Sequence, residues 1–219
     1  METKRVKILK ILLTIFVVVV IVIVAGAWLY LNSRQPQRSG ELKLPGLADK
    51  VTVHFDKWAI PHIYARNEKD AYRALGYTHA QERLFHMEVL RRLAKGQLSE
   101  ILGAKLISTD TLFRTLRLKQ FSQEYMQHQD LKSPEWVVAK AYIDGVNHFI
   151  ETGPTPVEFT ILGIPKTPYT LADTVSLAGY MAYSFALGFK TDPILTFVRE
   201  NLARTTWKTW ATSLPGVPL

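Results

Sequence analysis

The hydrophobic pattern begins with an uninterrupted apolar run from Ile11 to Leu31 that contains no charged residue. At about 1.5 Å per residue, these 21 residues would form a helix about 31 Å long, which matches the hydrocarbon thickness of a bilayer. Thr14 can return its hydroxyl to the preceding turn. Four Lys or Arg residues precede the run, which favours a cytoplasmic N-terminus. We therefore predict a cytoplasmic basic segment over residues 1–10, a membrane anchor over 11–32 and export of the remainder.

A cleaved signal peptide is the alternative interpretation of the same run. Ala25, Gly26 and Ala27 form a small-residue sequence of the kind that signal peptidases cut. The apolar run is longer than the usual core of a signal peptide, which favours a retained anchor. Both interpretations place the rest of the chain outside the cytoplasm.

The pattern changes after a polar segment over residues 33–50, which we interpret as a tether because Pro, Gly and Ser recur in it. Val51, Val53 and Phe55 then alternate with polar residues, which predicts a half-buried strand. Residues 60–65 are its expected hairpin partner, across a turn at 57–59.

A helical period begins after the hairpin. Asn67 is the expected N-cap of the first helix, and Gly96 is expected to end it. A Pro-containing ordered loop is expected over residues 155–169. Four further helices are predicted over residues 110–127, 134–151, 171–187 and 193–210.

Two strands and five helices cannot close a sheet, so we expect partner strands from elsewhere. Residues 211–219 are loop-like, and residues 204–219 are expected to be the end of a segment or the start of a linker. We therefore predict that the chain is a fragment of a longer protein.

Composition adds three limits. The chain has no Cys, so it uses neither disulfides nor thiolate metal sites. Part of its formal net charge of +8 comes from the cytoplasmic cluster. No block of Lys and Arg is interleaved with aromatic residues, so we expect no nucleic acid partner.

One helix face carries a row of polar side chains at i, i+3, i+4 and i+7: His79, Glu82, Arg83 and His86. Arg83 is a poor neighbour for a metal cation, so we interpret the row as a polar face whose Glu82 and Arg83 pair with neighbouring segments. No nucleophile elbow, phosphate-binding loop, dinucleotide-binding glycine pattern or zinc-protease motif is present. We predict no catalytic residue within this chain.

A longer ordered block does stand out from the sequence. It begins with Asp56-x-Trp-Ala-Ile-Pro-His-Ile-Tyr64 and Gly76-Tyr-x-His-Ala-Gln-Glu-Arg-Leu-Phe-His-Met87. It continues with Gly96-Gln-Leu-Ser-Glu-Ile-Leu-Gly103, Asp144-Gly-Val-Asn147, Glu158-Phe-Thr-Ile-Leu-Gly163 and Ala172-Asp173.

This block resembles the start of the penicillin acylase (penicillin amidase) family, over roughly Val51 to Leu202. Ala59 stands where the family usually has Gly, and Glu82 where it usually has Asp. Both departures are tolerable, provided that the backbone at Ala59 does not need a positive φ.

The resemblance implies an α+β fold. Residues 51–203 would be the helix-rich alpha segment of a four-layer αββα N-terminal-nucleophile hydrolase, preceded by one transmembrane helix. Family members cut themselves and expose an N-terminal Ser on a beta segment, whose α-amine acts as the base. That Ser should lie beyond Leu219, so this fragment alone should be inactive.

The implied activity is hydrolysis of the amide of an N-acyl substrate, of the β-lactam side-chain or acyl-homoserine-lactone type. The implied partner is the beta segment of the same precursor. The implied location is a bacterial-type cytoplasmic membrane, crossed once, with the bulk of the chain in the periplasm or outside. The alternative is a non-catalytic, membrane-anchored periplasmic interaction module.

The resemblance also assigns substrate-binding residues. Met181 and Phe185 should line the acyl pocket, although ordinary core packing explains the same spacing. Ser184 stands where penicillin-cleaving members have Arg, which weakens the case for β-lactam substrates. Asp192 is the nearest match to a ligand of a structural calcium ion, although a carboxylate before Pro193 is equally an N-cap.

Overall fold

The computed structural model of this chain describes residues 2–186 and 188–201. Its first helix, α1 (Glu2–Asn32), contains the predicted anchor, and its apolar side chains are exposed. The stretch Lys7–Asn32 is long and apolar enough to cross a membrane, a property that signal sequences share. The hydroxyl of Thr14 donates to the carbonyl of Lys10 (2.9 Å), as predicted.

The rest of the described chain is mainly helical, with a single hairpin. Strands β1 (Thr52–Phe55) and β2 (Pro61–Tyr64) precede eight helices. These are α2 (Glu68–Lys95), α3 (Ser99–Leu102), α4 (Ile107–Thr115), α5 (Leu118–Gln127), α6 (Pro134–Thr152), α7 (Val157–Leu162), α8 (Leu171–Phe185) and α9 (Gly188–Asn201).

The hairpin confirms the predicted antiparallel strand pair. Val53 pairs with Ile63 and His54 with His62. Both strands are edges in the described part of the chain, where the sheet has two strands. Their outer N–H and C=O groups therefore remain available for further strands.

The hairpin turn is held by Asp56, whose Oδ1 accepts the backbone N–H groups of Trp58 (2.8 Å) and Ile60 (2.9 Å). These bonds lower the pKa of the Asp56 carboxyl, the bond from Ile60 most. Ala59 lies between them at φ 60°. We expected Ala to be tolerated here only if the backbone did not need a positive φ, and this condition is not met. A Cβ in the left-handed region costs about 1–2 kcal/mol.

The two main helices of the body that follows the hairpin, α2 and α6, touch backbone to backbone. A Cβ added at Gly76 would lie 2.0 Å from the carbonyl oxygen of Tyr142, and one added at Gly145 would lie 2.0 Å from that of Arg73. Only glycine fits at either position. Around this contact lies the apolar core, which includes Ala80, Leu84, Ile143, Val146, Phe149, Ile150, Phe159 and Tyr169.

Local signals define the ends of α2 as predicted. The side chain of Asn67 accepts the N–H of Asp70 (2.8 Å) at the N-terminus. Gly96 adopts φ 65° at the C-terminus, where its N–H reaches the last-turn carbonyls. Helix α6 also begins at Pro134, as expected for Pro in a first turn.

Three expected boundaries are wrong. The helix expected over residues 110–127 is two helices, because Arg117 adopts φ 56° between α4 and α5. The loop expected over 155–169 contains α7, which buries Phe159 against the core. The last helix begins at Gly188, with Pro193 inside it, and its expected end at 210 lies outside the described residues.

The predicted tether lies along α2 and is called the strap (residues 33–50) below. The buried carboxylate of Asp70 accepts the backbone N–H groups of Ala48 (3.1 Å) and Asp49 (3.0 Å). Burial alone raises the pKa of Asp70, but these bonds and the Asn67 amide outweigh it and hold the pKa below its ordinary value. The strap is therefore bound by a charged carboxylate.

More contacts extend along the strap. Both oxygens of Glu82 accept from Arg38, at 2.9 and 3.1 Å, which confirms that Glu82 pairs with a neighbouring segment. The other contacts run from Gln81 to the carbonyl of Gln37 (3.0 Å) and from Arg73 to that of Pro45 (3.0 Å).

Replacing Ala59 by Gly should stabilise the fold. The change relieves the left-handed strain at the cost of a more flexible unfolded chain, so we expect a gain of about 0.5–1 kcal/mol in the free energy of unfolding. Denaturant unfolding of the complete protein measures it. Ala104→Gly, at an exposed residue with ordinary φ, is the control and should lose stability. Equal losses in both variants would contradict the strain at Ala59.

Candidate substrate-binding face of helix α8

Helix α8 carries the predicted substrate-binding residues, and its start is fixed by a capping box. The N–H of Thr170 donates to the Asp173 carboxylate (2.8 Å), and the N–H of Asp173 donates to the Thr170 hydroxyl (3.3 Å). These bonds satisfy N–H groups at the start of the helix, where the preceding turn of carbonyl acceptors is missing.

Asp173 also ties α8 to α2 through buried charge. Its carboxylate is 2% exposed and forms ion pairs with Lys95 and, at 3.9 Å, with Arg91. Arg91 in turn pairs with the buried Glu88. The guanidinium of Arg91 also lies 4.0 Å from the ring centroid of Tyr169. The segment before α8 is thus held against α2 by a cluster of opposite charges with little access to water.

Sequence reasoning missed this charged cluster. Arg91 follows Leu84 and Met87 at helical spacing, and this pattern alone indicates no charged partner for it. The available signal was the spacing of Glu88, Arg91 and Arg92 at i, i+3 and i+4, which brings these side chains together on one helix. Asp173, 82 positions beyond Arg91, could not be identified as the fourth member by local pattern.

The inner face of α8 packs on α4 and α5. The hydroxyls of Ser176 and Ser122 are hydrogen bonded at 2.7 Å, and both residues are buried. The rings of Tyr180 and Tyr183 each meet Phe113 edge to face, with centroids 5.6 Å apart. Because this face is fixed, the direction of the opposite face is fixed too.

Met181 and Phe185 lie on the outer face, one turn apart. Met181 is 54% exposed and Phe185 is 81% exposed. Neither side chain packs into the core formed by the described residues. The structure brings the two side chains to one surface, and their role in an acyl pocket stays a prediction.

Ser184 lies between them in the sequence but does not add a free polar group. Its hydroxyl donates to the carbonyl of Met181 (2.8 Å), one turn back in the same helix. A neutral, internally bonded hydroxyl therefore stands at the position where a cation was expected for penicillin-cleaving members.

Asp192 is exposed on α9, four residues after Gly188. The interpretation of Asp192 as an N-cap is wrong, because α9 begins before it. Calcium takes six to eight oxygen ligands. Among the described residues no group of three or more His, Cys, Asp or Glu side chains could hold a metal ion. Asp192 therefore fits calcium only as one ligand among others from outside these residues.

The polar row on α2 packs against the neighbouring helix. The Nδ1 of His79 lies 3.1 Å from the hydroxyl of Tyr142 on α6. Burial, and then the charge of Arg83, lower the pKa of His79, so the imidazole is neutral at pH 7. Arg83 itself marks a kink in α2, at φ −150°.

The comparisons with known proteins agree with the block of residues described above. The family described as penicillin amidase matches residues 50–214. Penicillin acylase 2 proenzyme of a Pseudomonas species is 41% identical over 140 residues, which cover 64% of this chain and 18% of that protein. The acyl-homoserine lactone acylase QuiP of Pseudomonas aeruginosa is 32% identical over 131 residues, covering 58% and 15%. The chain belongs to the penicillin amidase family.

A solved structure supports the fold. The thermostable penicillin G acylase from Alcaligenes faecalis matches with a TM-score of 0.56 and 22% identity, over 78% of this chain and 97% of that chain. This likeness shows that the helix-rich fold is shared. The chain spans less than a fifth of the length of the curated relatives named above.

Removing the carboxylate of Asp173 should destabilise the protein strongly. Asp173→Ala leaves Arg91 and Lys95 without their buried counter-charge, so we expect a loss of about 3–5 kcal/mol in the free energy of unfolding. Denaturant unfolding of the complete protein measures the loss.

The control is Glu124→Ala, which removes an exposed carboxylate paired with Arg117 and should change stability little. Asp173→Asn keeps a capping acceptor but not the charge. A small loss in both Asp173 variants would show that the cluster does not hold α8.

Proposed function

We propose that this chain is the alpha-segment portion of a membrane-anchored amidohydrolase precursor. The complete protein hydrolyses the amide of an N-acyl substrate through an acyl-enzyme. The nucleophile is an N-terminal Ser of a beta segment beyond Leu219, within a four-layer αββα fold. Helix α1 crosses the cytoplasmic membrane once, and the body lies in the periplasm or outside.

The observation that carries the proposal is the exposed pair Met181 and Phe185. Two large apolar side chains stand one turn apart on a helix whose other face is fixed by buried contacts. Such a pair suits the wall of an acyl pocket once a second segment covers it. The open edges of β1 and β2 suit the same arrangement, because a two-stranded sheet is marginal by itself.

The proposed chemistry needs no side chain from this segment at the reacting atoms. The α-amine of an N-terminal Ser titrates near pH 7.7–8.0 and can accept the proton of its own hydroxyl. The residues of this chain would bind and orient the acyl group. Asp192 would contribute one oxygen to a structural calcium ion whose other ligands come from the beta segment.

The names of the relatives support an acylase and divide between two substrate classes, penicillins and acyl-homoserine lactones. Ser184 favours the second class, because it presents no cation for the carboxylate of a penicillin nucleus. We therefore propose an N-acyl substrate with an apolar chain and a leaving amine that carries no carboxylate.

Self-cleavage tests the precursor. The complete coding sequence, expressed in a bacterial host, should yield two chains by mass spectrometry, with Ser at the new N-terminus of the larger one. Replacement of that Ser by Ala should leave one uncut chain without activity. An uncut wild-type chain that is folded would contradict the proposal and favour a non-catalytic membrane-anchored interaction module.

Truncation of the pocket wall should change acyl-chain preference. In the processed enzyme, Met181→Ala and Phe185→Ala should each change the ratio of kcat/KM for long and short acyl chains by about tenfold or more, as expected for apolar contacts worth 1–3 kcal/mol. Phe121→Ala is the matched control, because Phe121 is 57% exposed on α5. An unchanged ratio in both α8 variants would contradict the pocket assignment.

A further inference from the structure

The outer end of α1 makes a direct contact with the body. The hydroxyl of Tyr30 lies 3.3 Å from the hydroxyl of Thr160 on α7, and a guanidinium N–H of Arg34 donates to the carbonyl of Thr155 (3.3 Å). Tyr30 is two residues from the end of the helix at Asn32. Tyrosine prefers the membrane interface, where its ring meets acyl chains and its hydroxyl meets headgroups.

This contact fixes the depth of α7. A hydroxyl hydrogen bonded to the interfacial end of a membrane helix is itself at the level of the headgroups. The next residue, Ile161, is 76% exposed, the largest exposed fraction after Phe185 among the described large apolar side chains. Ile161 belongs neither to the core nor to the candidate pocket face on α8.

Two part-buried cations, Arg34 and Lys166, lie beside this contact and donate to backbone carbonyls. Lys166 donates to the carbonyl of Gly153 (2.8 Å), and burial together with the charge of Arg34 lowers the pKa of Lys166. Neither cation has a carboxylate partner in the described part of the chain. Glu158 on α7 is also exposed, so the surface is not strongly basic and apolar contact must supply most of any binding.

We propose that α7 is a second membrane contact, in which Ile161 inserts into the outer leaflet. The inference rests on the proposed membrane anchor. It assigns to α7 a role as an interfacial support that sets the orientation of the body on the bilayer. A short apolar insertion binds a membrane weakly by itself. Beside a spanning helix it is sufficient to hold α7 at the surface, because the spanning helix already keeps the body at a high effective concentration there.

The test uses the complete processed protein in vesicles of phosphatidylethanolamine and phosphatidylglycerol. Ile161→Cys carries an environment-sensitive fluorophore, and this chain offers no other Cys. Unsubstituted protein measures labelling elsewhere. Leu131→Cys is the matched control, because Leu131 is also exposed, at 51%. Leu131 precedes the start of α6, and α6 is about 28 Å long and ends at Thr152, so Leu131 lies at the far end of that helix from Thr152.

Lipids with quenchers in the acyl chains should remove about half of the fluorescence at position 161 and little at position 131. Iodide in the water should do the reverse. Quenching of position 161 by iodide but not by lipid would overturn the inference, since Ile161 would then face water. Protection of position 161 from both quenchers would also overturn it, because protein would then cover Ile161.

Alkaline carbonate extraction separates this inference from the anchor. A chain that stays with the vesicles while position 161 is unquenched by lipid refutes the α7 contact and leaves the anchor intact. A chain released by carbonate refutes the spanning helix and, with it, the contact. Retention together with lipid quenching at position 161 supports both.

Discussion

The body of the protein depends on one close contact, the backbone crossing of α2 and α6. Gly76 and Gly145 allow the two helices to approach until the added volume of a methyl group would overlap a carbonyl oxygen. Residues one turn further along, such as Ala80, are completely buried for the same reason. The other contacts between α2 and α6 require this short distance between the helices. A side chain at either glycine would push the helices apart and disrupt those contacts.

Helix α2 then serves as the frame for segments distant in sequence. Near its N-terminus, Asp70 binds the strap through backbone N–H groups. Near its C-terminus, Arg91 and Lys95 hold α8 through Asp173. Buried charges contribute modest net stability because desolvation is costly, but they demand a particular partner. The direction in which Met181 and Phe185 point is therefore set by charge pairing at the start of α8 together with the contacts of its inner face.

Local chemistry made part of this fold predictable. The alternation at β1, the N-cap Asn67 and the terminal Gly96 each act within a few residues, and the resemblance supplied the place of Met181 and Phe185. Arg117 adopts the left-handed conformation, which its residue type does not predict. Helix α7 is short, and its formation depends on the burial of Phe159 rather than on a sequence pattern. The strap and the charged cluster join residues far apart in the sequence, which a single sequence does not reveal.

The strap determines how far the body can travel from α1. Eighteen residues of free chain would have a root-mean-square span of about 24 Å, so an unattached body would sweep a broad volume around the end of α1. The hydrogen bonds between the strap and α2 restrict this span. For the membrane-anchored acylase proposed above, the consequence would be kinetic: a body held close to the bilayer would meet an acyl substrate that collects there by a two-dimensional search.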